Sequence, residues 1–333
     1  MNEKYRATLK SAETEDWLDL HVIRPFCYYC AVFFAKFDIH PNTVTIWSMI
    51  VGAASAWFFA QDSFVYGDNA HGDTILGLIY NIIAVVLLMI ADVLDCTDGQ
   101  LARMTGKKSR MGRILDGVAG FAWFIPIYHV MVYRFYLHHD IEFSLLGIAD
   151  TQQNVLIATA VVYALGLIAG IAGLAGQQRL ADYYIQVHLF FLKGEKGSEL
   201  DNSMRQQEIY DQMTPETHTW AERYFQKSYI DYTKKQEAVT PQFQRLMARL
   251  REKFGSTDNI PQEVREEFRQ KSLPVIFWNG LLTFNFRESW LFLFCLLDIP
   301  VAHFVFEIVF MGLLWKYVNH RHESFCKAIA DRL

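Results

Sequence analysis

The sequence predicts an all-α integral membrane protein: a six-transmembrane-helix bundle with an N-terminal interfacial helix and a helical cytosolic insertion. Three observations predict it. The 333 residues are 52% hydrophobic and 15% aromatic, and the apolar residues gather into long runs instead of spreading through the chain. Six of those runs approach the ~20 apolar residues that a bilayer crossing takes. The basic residues fall in alternate connections, so that every loop agrees on one sidedness.

Residues 1–42 read as a cytosolic and interfacial segment. Within 13–37, Trp17, Leu18, Val22, Ile23, Phe26 and Phe33 alternate loosely with charges, the pattern of a helix lying in the interface plane. Pro25 either bends that helix or starts a new one. A short extra span over 26–39 is opposed by Lys36 and Asp38. Pro41 disfavours helix at His40, and Asn42 or Thr43 can cap the first span.

Residues 43–192 hold spans one to four, over roughly 43–61, 74–95, 113–136 and 154–175. Residues 193–272 read as a soluble, mostly helical cytosolic insertion. Gly194, Gly197, Pro215, Pro241, Gly255 and Pro261 break it, and Trp220, Tyr224, Phe225, Tyr229 and Tyr232 give its helices something to pack. Residues 273–333 hold spans five and six, 275–297 and 299–318, and a cytosolic tail. The fifth carries Arg287 and Glu288 near its middle, so a re-entrant hairpin or an interfacial helix ending before Arg287 competes with a full crossing.

Loop charges set the orientation. Arg103, Lys107, Lys108 and Arg110 lie in the 96–112 loop, whereas 62–73 and 137–153 contain no Lys or Arg. The 176–274 segment and the tail, with Lys316, Arg321 and Lys327, are rich in basic residues. Both termini and the 96–112 loop are therefore expected in the cytosol. The polar, acidic N-terminus lacks the pattern of a cleaved signal peptide. A net charge of -5 leaves no global basic field for nucleic acid. The five cysteines form no dense framework, and Cys27 and Cys30, a C-x-x-C with no second pair and no neighbouring His, read as reduced thiols.

Chemistry concentrates where span two ends, in Asp92-Val93-Leu94-Asp95-Cys96-Thr97-Asp98-Gly99. One carboxylate at a span end is ordinarily a solvated helix terminus, but several at a membrane edge demand compensation. Asp95 and Asp98 share a helix face, and antiparallel packing of spans two and three would bring Asp116 to them. Such an all-oxygen cluster suits Mg²⁺, Mn²⁺ or Ca²⁺ and, through the metal, a diphosphate. Gly99 and Gly112 allow a nucleotide close to the backbone, Ala102 keeps the same face small, and Arg103 can pair with phosphate or with an Asp.

The run Asp95-x2-Asp98-Gly99-x2-Ala102-Arg103-x8-Gly112-x3-Asp116 resembles the signature of the CDP-alcohol phosphotransferase (CDP-alcohol phosphatidyltransferase) family. His40-Pro41-Asn42-Thr43-Val44-Thr45 resembles a second segment of that family, and the resemblance covers about 40–190 and the six-span layout, not the insertion. It implies a two-metal Mg²⁺ or Mn²⁺ site at the cytosolic edge, with Asp95, Asp98 and Asp116 as ligands. Asn42, Gly99, Ala102, Arg103 and Gly112 would line the cytidine nucleotide. The implied reaction is attack of an alcohol on a CDP-linked donor, with CMP leaving, and the implied assembly is a homodimer.

The signature departs at one place. Gly120 stands where the family has a fourth Asp, the expected base and shared ligand. Asp92 and Gly120 lie at similar depths on facing spans, ~4.5 and ~6 Å below Asp95 and Asp116. Asp92 is therefore the candidate replacement, entering the space that Gly120 leaves. Elsewhere, Arg287 and Glu307 lie at equal depth and read as an ion pair, with Glu288 and His303 nearby.

The leading expectation is an enzyme of phospholipid or related lipid synthesis. It would transfer a phospho-alcohol group, by analogy a phosphatidyl group, to a small alcohol or a lipid alcohol. CDP-choline or CDP-ethanolamine with a lipid alcohol is the other enzymatic pairing. A catalytically impaired relative acting as a nucleotide-binding scaffold would bind without releasing CMP. An ion or metal transporter would use the acids but has no need of the Gly-Ala-Arg stretch.

Overall fold

The computed structural model describes residues 5, 8–9, 11, 13–15, 19–61, 74–107 and 109–333. These residues form helices and connecting turns. In chain order they are α1 Arg24–Lys36, α2 Pro41–Phe59, α3 Thr74–Thr105, α4 Arg110–Leu137, α5 Asp140–Leu146, α6 Gln152–Ile168 and α7 Gln178–Lys193. There follow α8 Ser203–Asp211, α9 Trp220–Ala238, α10 Pro241–Phe254, α11 Gln262–Gly280, α12 Phe284–Leu296, α13 Pro300–Val305 and α14 Gly312–Ala330. Wider π-helical turns lead into α1 and join α6 to α7 and α13 to α14.

Among the described residues, five helices are long and apolar enough to cross a membrane: Pro41–Phe59, Leu76–Thr105, Met111–Leu137, Gln152–Lys193 and Pro300–Ala330. This marks a multi-pass membrane protein, with the sixth expected crossing not among those five. The difference lies in the expected span 275–297. Its helix stops at Gly280, where Leu282 N–H bonds Asn279 O at 2.9 Å and Thr283 Oγ1 bonds Gly280 O at 2.6 Å. These tight turns absorb the chain's polar groups before α12 starts. At 1.5 Å per residue, the 13 residues of α12 reach about 20 Å, short of a ~30 Å hydrocarbon core. The second span departs in the other direction. Its helix continues through Thr105, so that the whole acidic run is helical.

At the N-terminus, Trp17 and Leu18 lie outside the described residues, as do Lys108 and the 62–73 loop. Pro25 starts a helix rather than bending one, since it occupies the first turn of α1. Cys27 and Ala31 on α1 are buried, while Val22, Phe26, Tyr29, Phe33 and Phe37 are exposed at helical spacing. His40, not Asn42 or Thr43, caps α2. Its backbone is extended and its Nδ1 accepts the Asn42 N–H at 3.2 Å. Pro41 at the first helical position forces that arrangement, because it needs no N–H partner itself.

The chain folds into two compact units, Met1–Ala175 with Phe284–Phe310, and Gly176–Thr283 with Met311–Leu333. In the first, α2 is the common partner of α3 and α4, which touch each other little. Gly52 makes that possible: the indole of Trp123 lies against its backbone where a Cβ would collide. Ala84, Leu88, Ala119, Phe124, Ile127 and Leu291 extend the core around Trp123.

Charge is buried in the same unit. Arg287 and Glu307 form an ion pair with neither side chain exposed, as their equal depth predicts. Tyr128 donates its hydroxyl to the second oxygen of Glu307, and His303 Nε2 stands 3.5 Å from the first. Gly173 faces the pair, with its Cβ position 3.2 Å from both Arg287 Nη1 and Glu307 Oε2. Arg134 is buried too, donating to Asp298 Oδ1 at 3.0 Å, Asn81 Oδ1 at 3.1 Å and Cys295 O at 2.8 Å.

In the second unit, the stretch 193–272 folds together with 176–192, 273–283 and 311–333. Phe191 stacks on Phe268 at 3.7 Å and Tyr184 on His322 at 4.0 Å, and Phe243, Leu246 and Leu250 of α10 close the core. Glu323 caps α10 by accepting the Gln242 and Phe243 N–H groups.

Glu307→Ala leaves the Arg287 guanidinium buried without its carboxylate, and a loss of about 3–5 kcal/mol is expected. Denaturation in detergent measures it, and the double replacement Arg287→Met with Glu307→Leu is expected to recover most of the loss. Glu142, on α5, yields a pH test. Burial pushes its carboxyl up to about 7 from an ordinary 4.5. The folded chain then holds more protons than the unfolded one between those values. Stability is expected to fall as pH rises from about 4.5 to about 7 and to level above it. Glu142→Gln is expected to remove that slope in melts taken across the range.

Candidate active site

The site is built on three helix segments of the first unit. The N-terminal turn of α2 carries Asn42 and Thr45. The second half of α3 carries Asp92, Asp95, Asp98, Gly99, Ala102 and Arg103. The start of α4 carries Gly112, Asp116 and Gly120. Ser109 caps α4 by accepting the Gly112 N–H at 2.9 Å, and Gly106, with a φ of 70°, turns the chain between α3 and α4. A residue with a Cβ would be strained at that φ.

Because α2 lies between α3 and α4, the acidic cluster is assembled through it. Thr45 Oγ1 donates to Asp98 Oδ2, and Asp98 is 5% exposed. Asn42 lies against Gly112: a Cβ there would stand 2.8 Å from Asn42 Oδ1 and 3.0 Å from Ser109 Oγ. Asp116 of α4 is the leading charged neighbour of both Asp95 and Asp98. The structure thus brings Asp95, Asp98, Asp116, Gly112 and Asn42 to one place.

Asp95 Oδ1 is buried and makes no hydrogen bond. A carboxylate oxygen in that condition, pressed by two further carboxylates, requires a cation or a proton. The donor set is all oxygen, which fits Mg²⁺ or Mn²⁺. Among the described residues, one group of His, Cys, Asp and Glu places three ligand atoms within 4.8 Å of one another, and it is His322, Glu323 and Cys326 of the second unit. There Glu323 is engaged as the α10 cap. The carboxylates around Asp95 stand wider than that.

Arg103 lies along its own helix. Its Nη1 is 3.3 Å from the Cβ position of Gly99, its Nε donates to Thr8 O at 2.5 Å, and its charge acts on Asp98. Ala102 is half-buried beside it.

The structure corrects the expectation about Gly120. The space beside it is filled by the Phe284 ring of α12, which would collide with any Cβ. That ring stacks on Phe124 at 5.6 Å and tilts against Trp123 at 5.7 Å. Asp92 does not enter that space; its charged neighbours are Asp19, Arg24, Asp95 and Glu288. The reason is angular, since Asp92 is rotated about 120° from Asp98 at 100° per residue. Arg24 is held beside it by Glu15 at 2.9 Å and Cys96 Sγ at 3.2 Å.

Residues 38–177 match the CDP-alcohol phosphatidyltransferase family model. The match begins just before α2, ends where α7 begins, and holds every position of the acidic run. It covers under half of the chain and none of 193–272. No curated protein matches the chain. Within the family's segment, Thr45 stands in the His40–Thr45 run, but sequence reasoning assigned it no role. Its signal was present, because Thr45 falls one turn after Pro41 at the mouth of α2, where a hydroxyl can meet the neighbouring helix.

Thr45→Val removes the donor to a buried carboxylate. Apparent stability measured without divalent ions is expected to fall by about 1–3 kcal/mol, with Thr45→Ser close to wild type.

Proposed function

We propose that this chain transfers a phospho-alcohol group, most simply a phosphatidyl group, from a CDP-linked donor to an alcohol, releasing CMP in lipid synthesis. The observation that carries the reading is the orphaned Asp95 oxygen inside the segment that matches the family model. Asp95, Asp98 and Asp116 would hold Mg²⁺ or Mn²⁺, and the family resemblance implies a second ion. The metal, when bound, neutralises the diphosphate and stabilises charge on the transferring and leaving oxygens.

The chain's own residues do the rest. Thr45 holds Asp98 in one orientation. Gly99 and Gly112 would let the nucleotide approach the backbone where the ends of Arg103 and Asn42 now lie, Ala102 keeps the bed shallow, and Asn42 and Arg103 offer polar and positive groups to the phosphates. The basic loop between α3 and α4 supports a cytosolic site with both termini on that side. The exposed apolar stripe of α1 supports a helix lying in the interface. A lipid on one side and a polar partner on the other follow from a site at the membrane edge, and a homodimer follows from the family.

The test is purification in detergent with Mg²⁺ or Mn²⁺ and a CMP-release screen over CDP-diacylglycerol, CDP-choline and CDP-ethanolamine with polyol and lipid alcohols. Metal-dependent CMP release is expected for one pairing, with a loss of at least a hundredfold in Asp95→Asn or on chelation. Nucleotide binding without CMP release across the panel would move the chain to a nucleotide-binding scaffold.

A further inference from the structure

A hydroxyl attacking phosphorus must lose its proton, and a positioned carboxylate is a common acceptor. The segment on α3 and α4 leaves that role open. Asp95, Asp98 and Asp116 are assigned to the cation, Gly120 has no side chain, and Phe284 closes the space beside it.

The helix that closes the space also brings a carboxylate. Glu288 lies four residues after Phe284 on α12, on the same face. Its Oε1 is buried without a hydrogen-bond partner, and its charged neighbour is Asp92, one turn from Asp95. The cation next to it in sequence, Arg287, is committed to Glu307. The N-terminal segment fastens α12 at this point: Asn285 Nδ2 donates to Asp19 Oδ1 at 3.0 Å, and Asp19 and Arg24 both act on Asp92. An unpartnered carboxyl at this depth is costly, and this one stands one turn from Phe284, the ring that lies against Gly120 beside the acidic run.

Resting on the phosphotransfer reading, we propose that Glu288 is the catalytic residue that accepts the proton of the attacking alcohol. The alcohol O–H bond breaks and its proton passes to the Glu288 carboxylate. The alcohol oxygen forms the new bond to the phosphorus of the transferred group. The bond from that phosphorus to CMP breaks, and the electron pair leaves on the CMP phosphate.

The experiment compares Glu288→Gln and Glu288→Asp with wild type, using the donor and acceptor found in the CMP-release screen. Glu288→Gln is expected to lower kcat by about 10²–10⁴-fold. Affinity for CMP with Mg²⁺ is expected to stay within twofold, and Glu288→Asp to recover part of the rate. A second readout needs no variant. Dicyclohexylcarbodiimide, which reacts with carboxyls in apolar surroundings, is expected to label Glu288 in wild type, with protection by the acceptor alcohol, as read by peptide mass spectrometry. Glu288→Gln turning over within threefold of wild type overturns this proposal and leaves the phosphotransfer reading standing. If that variant does not fold, carbodiimide inactivation without a label on Glu288 overturns it instead. A wild-type chain that binds CMP but transfers nothing from any donor overturns both.

Discussion

An ionised side chain inside a bilayer-spanning protein must find a counter-charge or a hydrogen-bond donor, because no water is present to solvate it. That constraint organises the first unit. Arg287 is met by Glu307, Glu307 by Tyr128 and His303 as well, and Arg134 by Asp298, Asn81 and two backbone carbonyls. The Tyr128–Glu307 and Arg134–Asp298 contacts join helices far apart in sequence, so satisfying the charges and setting the helix packing are one event. Small residues complete it. Gly173 makes room for the Arg287–Glu307 pair and Gly52 for Trp123.

Against that pairing, the buried carboxylate oxygens left over stand out. Asp95 Oδ1, Glu288 Oε1 and both oxygens of Glu142 on α5 make no hydrogen bond; of these, Asp95 lies in the acidic run and Glu288 is acted on by Asp92. Asp95 sits among other acids, the condition that a bound cation relieves. Glu288 feels the charge of Asp92, on a helix held by the N-terminal segment. The proposed division of labour gives the charge to one carboxylate cluster and the proton to a separate carboxylate. Phe284 and Glu288 explain how one helix can both close the gap beside Gly120 and supply a carboxyl from another direction.

The second unit is held together by aromatic stacking of Phe191, Phe268, Tyr184 and His322 and by the Glu323 cap on α10. Its group of His322, Glu323 and Cys326 shows that ligand-like spacing alone is weak ground for a metal site, since the carboxylate there already terminates a helix.

The sequence by itself determined the helical membrane class, most of the apolar spans, the acidic run with its glycines, and the Arg287–Glu307 pair. These features are periodic or local, so spacing along one helix, or depth from a span end, reads them directly. Tertiary structure decided the rest. The 275–297 run breaks at residues 281–283, because turn hydrogen bonds at Gly280 and Thr283 outweigh an apolar composition that allows a continuous helix. Only the packing of α2 between α3 and α4 showed Thr45 holding Asp98. Which side chain fills the space at Gly120 could not be read from depth, because depth fixes height along the membrane normal but not the angle around it. Asp92 has the height, whereas Phe284 has the angle and Glu288 follows it on the same face of α12.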